Sequence, residues 1–468
     1  MKKVFALLIC LCIILFNSCN FSKTKDLFNG TANNKWTITG NVAVQDGHLS
    51  LTGKQAQVLL KNGDYKDFDL SMELRTDAGG KGFVGFHTDS KGRGYRVAIN
   101  NDREDAVWWR MTGSLVSVRN LAKSFVKENE WFTMNIRVEG QAVTVKINGD
   151  PVVEYIEPLK PFRTGVNAGA VLSRGSFSIM SDEAGTLQFR SIKVEKLDGK
   201  NVNIPAQQKM ANDEQSDEII RLHQEDFPVL DYHVHLKGGL TKETAAVQLR
   251  KTGINYAVAP NCGIGFPVTS DEDIYKYLDT MRTQPFILAM QAEGREWITA
   301  FSQKARDGFD YVFTDALTFN DHKGRRVHLW VNEEVLIDDE QEYMDMIVDR
   351  ICSVLQEPVD VYVNPFFLPK SMSDRYDDFW TEKRMNKAVE ALAASGKALE
   401  INELYRIPSK TVIMKAKAAG VKFTFGSNNV TPEVGKLEYG IRMKNECGLT
   451  PENMYKPKIK INLKTGKK

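Results

Sequence analysis

Val229-Leu-Asp-Tyr-His-Val-His-Leu236 reads as a short apolar strand that ends in two histidines, His233 and His235, one residue apart. Residues i and i+2 of a strand lie on the same face. Both imidazoles can therefore aim at one point, as a divalent metal requires. Asp231 before the pair and Gly238-Gly239 after it fit a strand running out into a loop. The whole chain has 7 histidines, so two at metal spacing point to a site rather than to chance.

Outward from this strand the pattern repeats as strand then helix. Strands are expected at 229–235, 255–260, 286–291, 310–314, 359–363, 398–402 and 421–426. Helices are expected at 241–251, 271–281, 297–306, 339–355, 382–394 and 409–419, with Thr241 and Ser409 as N-caps and Gly253, Gly308, Gly396 and Gly420 as stops. Such alternation demands a parallel sheet with right-handed crossovers, and the length closes it into a barrel.

Each strand ends in a polar residue: His233 and His235, then Asn261, Glu293, Asp315, Asn364, Glu400 with Asn402, and Asn428 with Asn429. Barrel active sites sit at the C-terminal rim. Strands also stop at Asn or Asp for turn chemistry, which accounts for Asn364-Pro365 but not for two histidines and two glutamates.

Seven strand–helix units opened by His-x-His resemble the PHP (polymerase and histidinol phosphatase) metal-dependent hydrolases. Ala398-Leu-Glu-Ile-Asn402 and Ala416-Lys-Ala-Ala-Gly-Val-Lys-Phe-Thr-Phe-Gly-Ser-Asn428 track that family's last strands. The resemblance implies a (β/α)7 PHP-like barrel over 228–457 with His233, His235 and Glu293 as metal ligands. It departs where Asn261 and Asn364 replace the family's histidines and Ser427-Asn428-Asn429 replaces its final Asp-x-His. Amide oxygens are weak ligands for Zn²⁺. One Zn²⁺ or Mn²⁺ ion is therefore expected rather than a cluster. Asp315 or Glu400 is the candidate general base. Asn261, Arg295, His328, Trp330, Asn364, Asn402, Arg406 and Asn428 are candidate substrate contacts, the arginines by bidentate capture of an anion. Those arginines could equally tie loops together. Cys262 lacks a histidine partner and reads as a small buried residue.

Upstream the rhythm is different. Phe68-Asp-Leu-Ser-Met-Glu-Leu, Tyr95-Arg-Val-Ala-Ile and Phe132-Thr-Met-Asn-Ile-Arg-Val alternate with period two, punctuated by Glu139-Gly140 and Asn148-Gly149-Asp150. This is an all-β jelly roll or sandwich over 24–197. Leu27-Phe28-Asn29-Gly30, Trp36, Asp46-Gly47-His48-Leu49, Glu130-Trp131, Ile147-Asn148-Gly149 and the closing 187–197 resemble the glucanase-like jelly roll of the 3-keto-disaccharide hydrolase family. That resemblance implies carbohydrate handling on a concave sheet face. The family's Ile-x-Leu-Gln-x-His element is absent, since Ser178-Ile-Met-Ser-Asp-Glu183 stands there. His87, Tyr95, Arg96 and Trp108 are the sugar-contact candidates. One of the adjacent Trp108 and Trp109 must face inward or toward the second domain. Residues 198–227 read as a linker ending in a polar helix with His223 facing solvent.

Met1-Lys2-Lys3, an apolar run to Phe16 and Asn17-Ser18-Cys19 resemble a lipoprotein signal, with Cys19 as the lipidated residue. That implies a cell-envelope protein held on a periplasmic or outer-membrane face. Cys262, Cys352 and Cys447 are then too scattered for a disulfide framework. A net charge of +2 without a basic stripe argues against nucleic-acid binding, and 458–468 is a short basic tail.

Three readings stay open. The first is a lipid-anchored hydrolase of a carbohydrate-derived substrate, with metal-activated water in the barrel and sugar contacts from the jelly roll. The second places cleavage of a 3-keto-glycoside in the jelly roll. The third is a non-catalytic glycan-binding lipoprotein.

Overall fold

The computed structural model describes residues 24–182, 185–197 and 213–460. The expected signal, Cys19, most of the linker and the end of the basic tail lie outside the described residues.

Residues 24–197 form two antiparallel sheets packed face to face. The first runs Asp150–Ile156, Ala142–Ile147, Phe132–Glu139, Phe68–Thr76, Thr186–Lys196, His48–Thr52, Val42–Gln45. The second runs Trp36–Thr39, Gln57–Leu60, Ser176–Ser181, Lys81–Thr88, Tyr95–Asn100. Alternation decides which residues are inside: Phe68, Leu70, Met72 and Leu74 are buried, and the residues between them are not.

Seven parallel strands follow and close into a barrel. Around the ring they are Asn255–Val258, Leu230–Val234, Phe423–Gly426, Ala398–Asn402, Val361–Tyr362, Tyr311–Thr314 and Ile287–Ala292, with the last pairing back to the first. Helices such as Lys242–Thr252, Asp271–Met281, Glu340–Val354, Glu382–Ser395 and Lys410–Ala418 occupy the crossovers. The expected helix at 297–306 is broken into Trp297–Ala300 and Gln303–Arg306, because Phe301 is extended and Ser302 caps a new turn. Glu438–Cys447 is a further helix that the sequence reading passed over.

The barrel interior is filled in layers. Tyr232, Ala257, Ala259, Ala289, Tyr311, Phe313, Val361, Val363 and Ala398 pack as one cluster, and that cluster continues into Trp108, Trp109 and Ala122 of the jelly roll. The jelly roll thus closes the N-terminal end of the barrel. Asn255 Oδ1 accepts from the Ala122 amide at 2.9 Å, and its Nδ2 donates to the Asn120 carbonyl at 2.9 Å. Lys123 Nζ donates to the Phe286 carbonyl at 2.6 Å, and Arg110 pairs with Asp226 at 2.5 Å. His223 is buried in this seam, bonded through Nε2 to the Gly253 carbonyl, and does not face solvent as expected. Tyr455 and Ile459 of the chain end pack against the same cluster.

Candidate functional site

The strand Leu230–Val234 carries a register shift between Asp231 and Val234. A bulge of this kind re-aims side chains. Tyr232 packs in the barrel interior, and His233 also turns inward, with its ring 4.6 Å from that of Phe313. Asp231 turns away and accepts from the amides of His233, Ser427 and Gly435.

His233 and His235 meet above the apolar layers. Their Nε2 atoms stand 3.1 Å apart, and Gln291 Oε1 lies 3.2 Å from His233 Nε2. Nδ1 of His233 donates to Glu400 Oε1 at 2.7 Å, and Nδ1 of His235 donates to the Ala259 carbonyl at 2.8 Å. Burial and the neighbouring His233 hold the His235 imidazole neutral, far below its ordinary pKa. Gly426 lies beside this pair because a Cβ there would come within 2.1 Å of Glu400 Oε1 and 2.7 Å of His233 Cβ.

A network of amides surrounds the pair. Glu400 Oε2 accepts from the Asn364 amide at 2.7 Å and from Asn402 Nδ2 at 2.9 Å. Asn364 Oδ1 accepts from Asn402 and Asn428, and its Nδ2 donates to Asp315 Oδ2 at 2.9 Å. Glu400 thus takes three donors and positions His233; it is fully buried and does not line the rim pocket described next. Asn364, Asn402 and Asn428 are tied to one another as struts.

On the rim above, a pocket of about 310 Å³ is lined by His235, Lys237, Asn261, Gln291, Glu293 and Asp315, with Phe266, Trp330, Asn364, Tyr405 and Asn428 among its other walls. Glu293 Oε1 accepts from Asn261 Nδ2 at 2.6 Å, while its Oε2 is buried with no hydrogen-bond partner. Asp315 accepts from Asn364 and from the Leu317 amide. Burial, then the Asp315 charge, pushes the Glu293 carboxyl up to about 8. Burial raises Asp315 as well, but its two donors oppose the shift. Two donors on Asp315 against one on Glu293 favour the ionised form of Asp315 over that of Glu293.

The expected ligand trio of His233, His235 and Glu293 is not assembled. Among the described residues no three His, Cys, Asp or Glu side chains gather closely enough to hold an ion. What does face inward is a pair of imidazole nitrogens whose other nitrogens are both occupied as donors.

The other candidates fall as follows. Arg295 is bound to Glu357 at 2.7 Å and to Thr314 and the Asp315 carbonyl, so it ties strand ends together rather than facing a substrate. His328 is held by Glu334 at 2.6 Å and its ring rests on Trp330. Arg406 lines a neighbouring cleft. Cys262 is buried, and burial pushes its thiol well up. In the jelly roll, Trp108 belongs to the domain seam and has no face left for a sugar. Tyr95 is fully buried, donating to Glu157 and accepting from Arg163 at 2.8 Å. His87 is buried between the Lys66 carbonyl and the Ser173 amide. Arg96 bonds Asn167 at 3.2 Å and lies over Phe83. The sequence reading missed Gln291, Lys237 and Tyr405. Gln291 was legible, since it stands two residues before Glu293 on the same strand face.

No curated protein sequence matches the chain. Among solved structures, a Parabacteroides distasonis protein described as a candidate glycosyl hydrolase is 15% identical, with 37% of this chain and 94% of that chain covered at a TM-score of 0.32. The carbohydrate-binding module CBM66 from Bacillus subtilis is 15% identical, covering 35% and 96% at 0.26. The exoplasmic/lumenal domain of VIP36 bound to Ca²⁺ and Man3GlcNAc is 11% identical, covering 37% and 88% at 0.28. The family model described as a 3-keto-alpha-glucoside-1,2-lyase-like domain matches residues 23–195. The N-terminal portion of the chain is therefore a 3-keto-disaccharide hydrolase-like domain, set on the closed end of a seven-stranded parallel barrel.

Proposed function

We propose that the chain is an exported, lipid-anchored hydrolase of a carbohydrate-derived substrate, with its chemistry in the rim pocket of a PHP-type (β/α)7 barrel. The observation that carries this reading is the Glu293–Asp315 pair: two buried carboxyls lining one pocket, with Asp315 held by two donors and Glu293 Oε2 left without any. Pairs whose environments push their pKa values apart supply an acid and a base. Glu293, with Oε2 bare of protein partners, donates its proton to the leaving oxygen. Asp315 accepts a proton from the attacking water. His233 and His235 would hold a single divalent ion, which when bound acidifies water. Trp330 and Tyr405 offer flat faces for a sugar ring.

The jelly roll lies at the other end of the barrel from this pocket, so sugar contacts at the chemistry come from the barrel's own loops. The family match over 23–195 favours a second reading, in which the jelly roll cleaves a 3-keto-glycoside itself. One experiment separates the two. Full-length protein is assayed on a panel of 3-keto-glucosides, plain glycosides and sugar esters. Glu293→Gln is expected to lower kcat by roughly a hundredfold or more without loss of folding. Unchanged turnover in that variant would move the chemistry to the jelly roll.

A further inference from the structure

Beyond the rim pocket, on the far side of Tyr405, lies a second and larger cleft of about 650 Å³. Tyr405 lines both cavities and is 36% exposed. Four cations line the cleft, Lys370, Arg406, Lys410 and Arg442, against one carboxylate, Glu446. That carboxylate is shared loosely between Lys410 at 3.4 Å and Arg442 at 3.9 Å. Lys370 and Arg406 are exposed; Arg406 feels the charge of the neighbouring Glu403, and neither cation makes an ion pair within 4 Å among the described residues. The turn that carries Arg406 is built to project it: Arg406 sits at φ 54, and Asn402 bridges across to Ile407. Ser409, which begins the helix Lys410–Ala418, is extended and leaves the first-turn amides without a side-chain acceptor. The positive end of that helix therefore opens on the same cleft. Tyr376 and Tyr439 give the cleft aromatic walls, with Arg442 resting over the Tyr439 ring at 5.1 Å.

We infer that this cleft is a subsite for an anionic substituent. The substrate would be an acidic saccharide, with one unit in the rim pocket and a carboxylate, sulfate or phosphate reaching past Tyr405 to Lys370 and Arg406. The inference rests on the rim pocket being the reaction site, and it specifies the substrate class of that site. Surplus positive charge beside a sugar-sized pocket attracts anions and captures them by charge-assisted hydrogen bonds. A neutral glycan has no use for it.

The test is calorimetric titration of the full chain with cellobiose and three charged counterparts: its uronic-acid form, its 6-sulfate and its 6-phosphate. At least one charged sugar is expected to bind about tenfold more tightly than cellobiose, which corresponds to ~1.4 kcal/mol, and the advantage shrinks as salt rises. Which of the three gains most names the anion. In Lys370→Ala/Arg406→Ala the advantage falls to less than about twofold while cellobiose binding is retained. The double variant Lys410→Ala/Arg442→Ala, which removes the two cations that share Glu446, gives an intermediate result and guards against a folding artefact in the first. Equal affinity for charged and neutral sugars, or an advantage that survives in both variants, would overturn the inference. Because binding is read without turnover, that failure is distinguishable from full activity in Glu293→Gln, which would instead remove the reaction site.

Discussion

His233 and His235 face each other through their Nε2 atoms at 3.1 Å, while each Nδ1 donates outward, one to Glu400 and the other to the Ala259 carbonyl. Either a proton or a metal ion shared by the two Nε2 atoms would satisfy ring nitrogens at that distance. After exposure to Zn²⁺ or Mn²⁺ and dialysis, the full chain is expected to retain about one ion in elemental analysis. His235→Ala should retain none. Equal metal content in the two proteins would leave the pair as a proton-sharing one.

Gly426 stands where a methyl group would strike Glu400 and His233. Gly426→Ala is expected to cost on the order of 1–3 kcal/mol in urea unfolding and to displace the Glu400–His233 bond. Its retained metal should fall with its stability. A variant with native stability and native metal content would show that the interior has slack there.

Asn255 joins the two domains by pairing with the amide of Ala122 and the carbonyl of Asn120 inside the seam. Asn255→Ala leaves buried backbone groups unpaired, at a cost of about 1–3 kcal/mol each. Reduced stability with a separate early transition in calorimetry is the expected outcome. A fragment ending at residue 197 exposes Trp108, Trp109 and Ala122, and light scattering should find it associated rather than monomeric.

His223 is buried, and burial together with the Arg119 charge lowers its pKa to about 3, from 6.5. Between those values the unfolded chain binds a proton that the folded chain refuses. This residue's contribution is therefore intact above pH 6.5 and is lost as pH falls toward 3, by up to ~1.4 kcal/mol per pH unit. Unfolding free energies at pH 7 and pH 5 should differ more in the native chain than in His223→Gln, which keeps a donor for Gly253 but does not titrate. Identical pH dependence would mean that the seam opens to water.

Much of this arrangement was legible in the sequence. Period-two alternation around Phe68–Thr76 placed one jelly-roll sheet, and helix caps such as Gly253 and Gly396 bounded the barrel's crossovers. The convergence of strand-end polar residues located the rim pocket. Three things were hidden for physical reasons. A bulge at Asp231–Val234 decides which side chains of the first barrel strand turn inward, and register is a property of the paired strands. The seam at Trp108, Trp109 and His223 depends on how the two domains dock, which local periodicity does not encode. The amides at Asn364, Asn402 and Asn428 look like ligand positions in one dimension, but in space Asn402 satisfies Glu400, Asn364 satisfies Asp315 and Asn428 braces Asn364.

The acid–base pair is the centre of the account, and its protonation can be read directly. In the full chain labelled with ¹³C at the carboxyls of Glu and Asp, the resonance that disappears in Glu293→Gln should titrate with a midpoint near 8, while the Asp315 resonance, assigned with Asp315→Asn, titrates at lower pH. If both carboxyls are fully ionised by pH 6, Glu293 is no proton donor at neutral pH and the rim pocket loses the chemistry assigned to it.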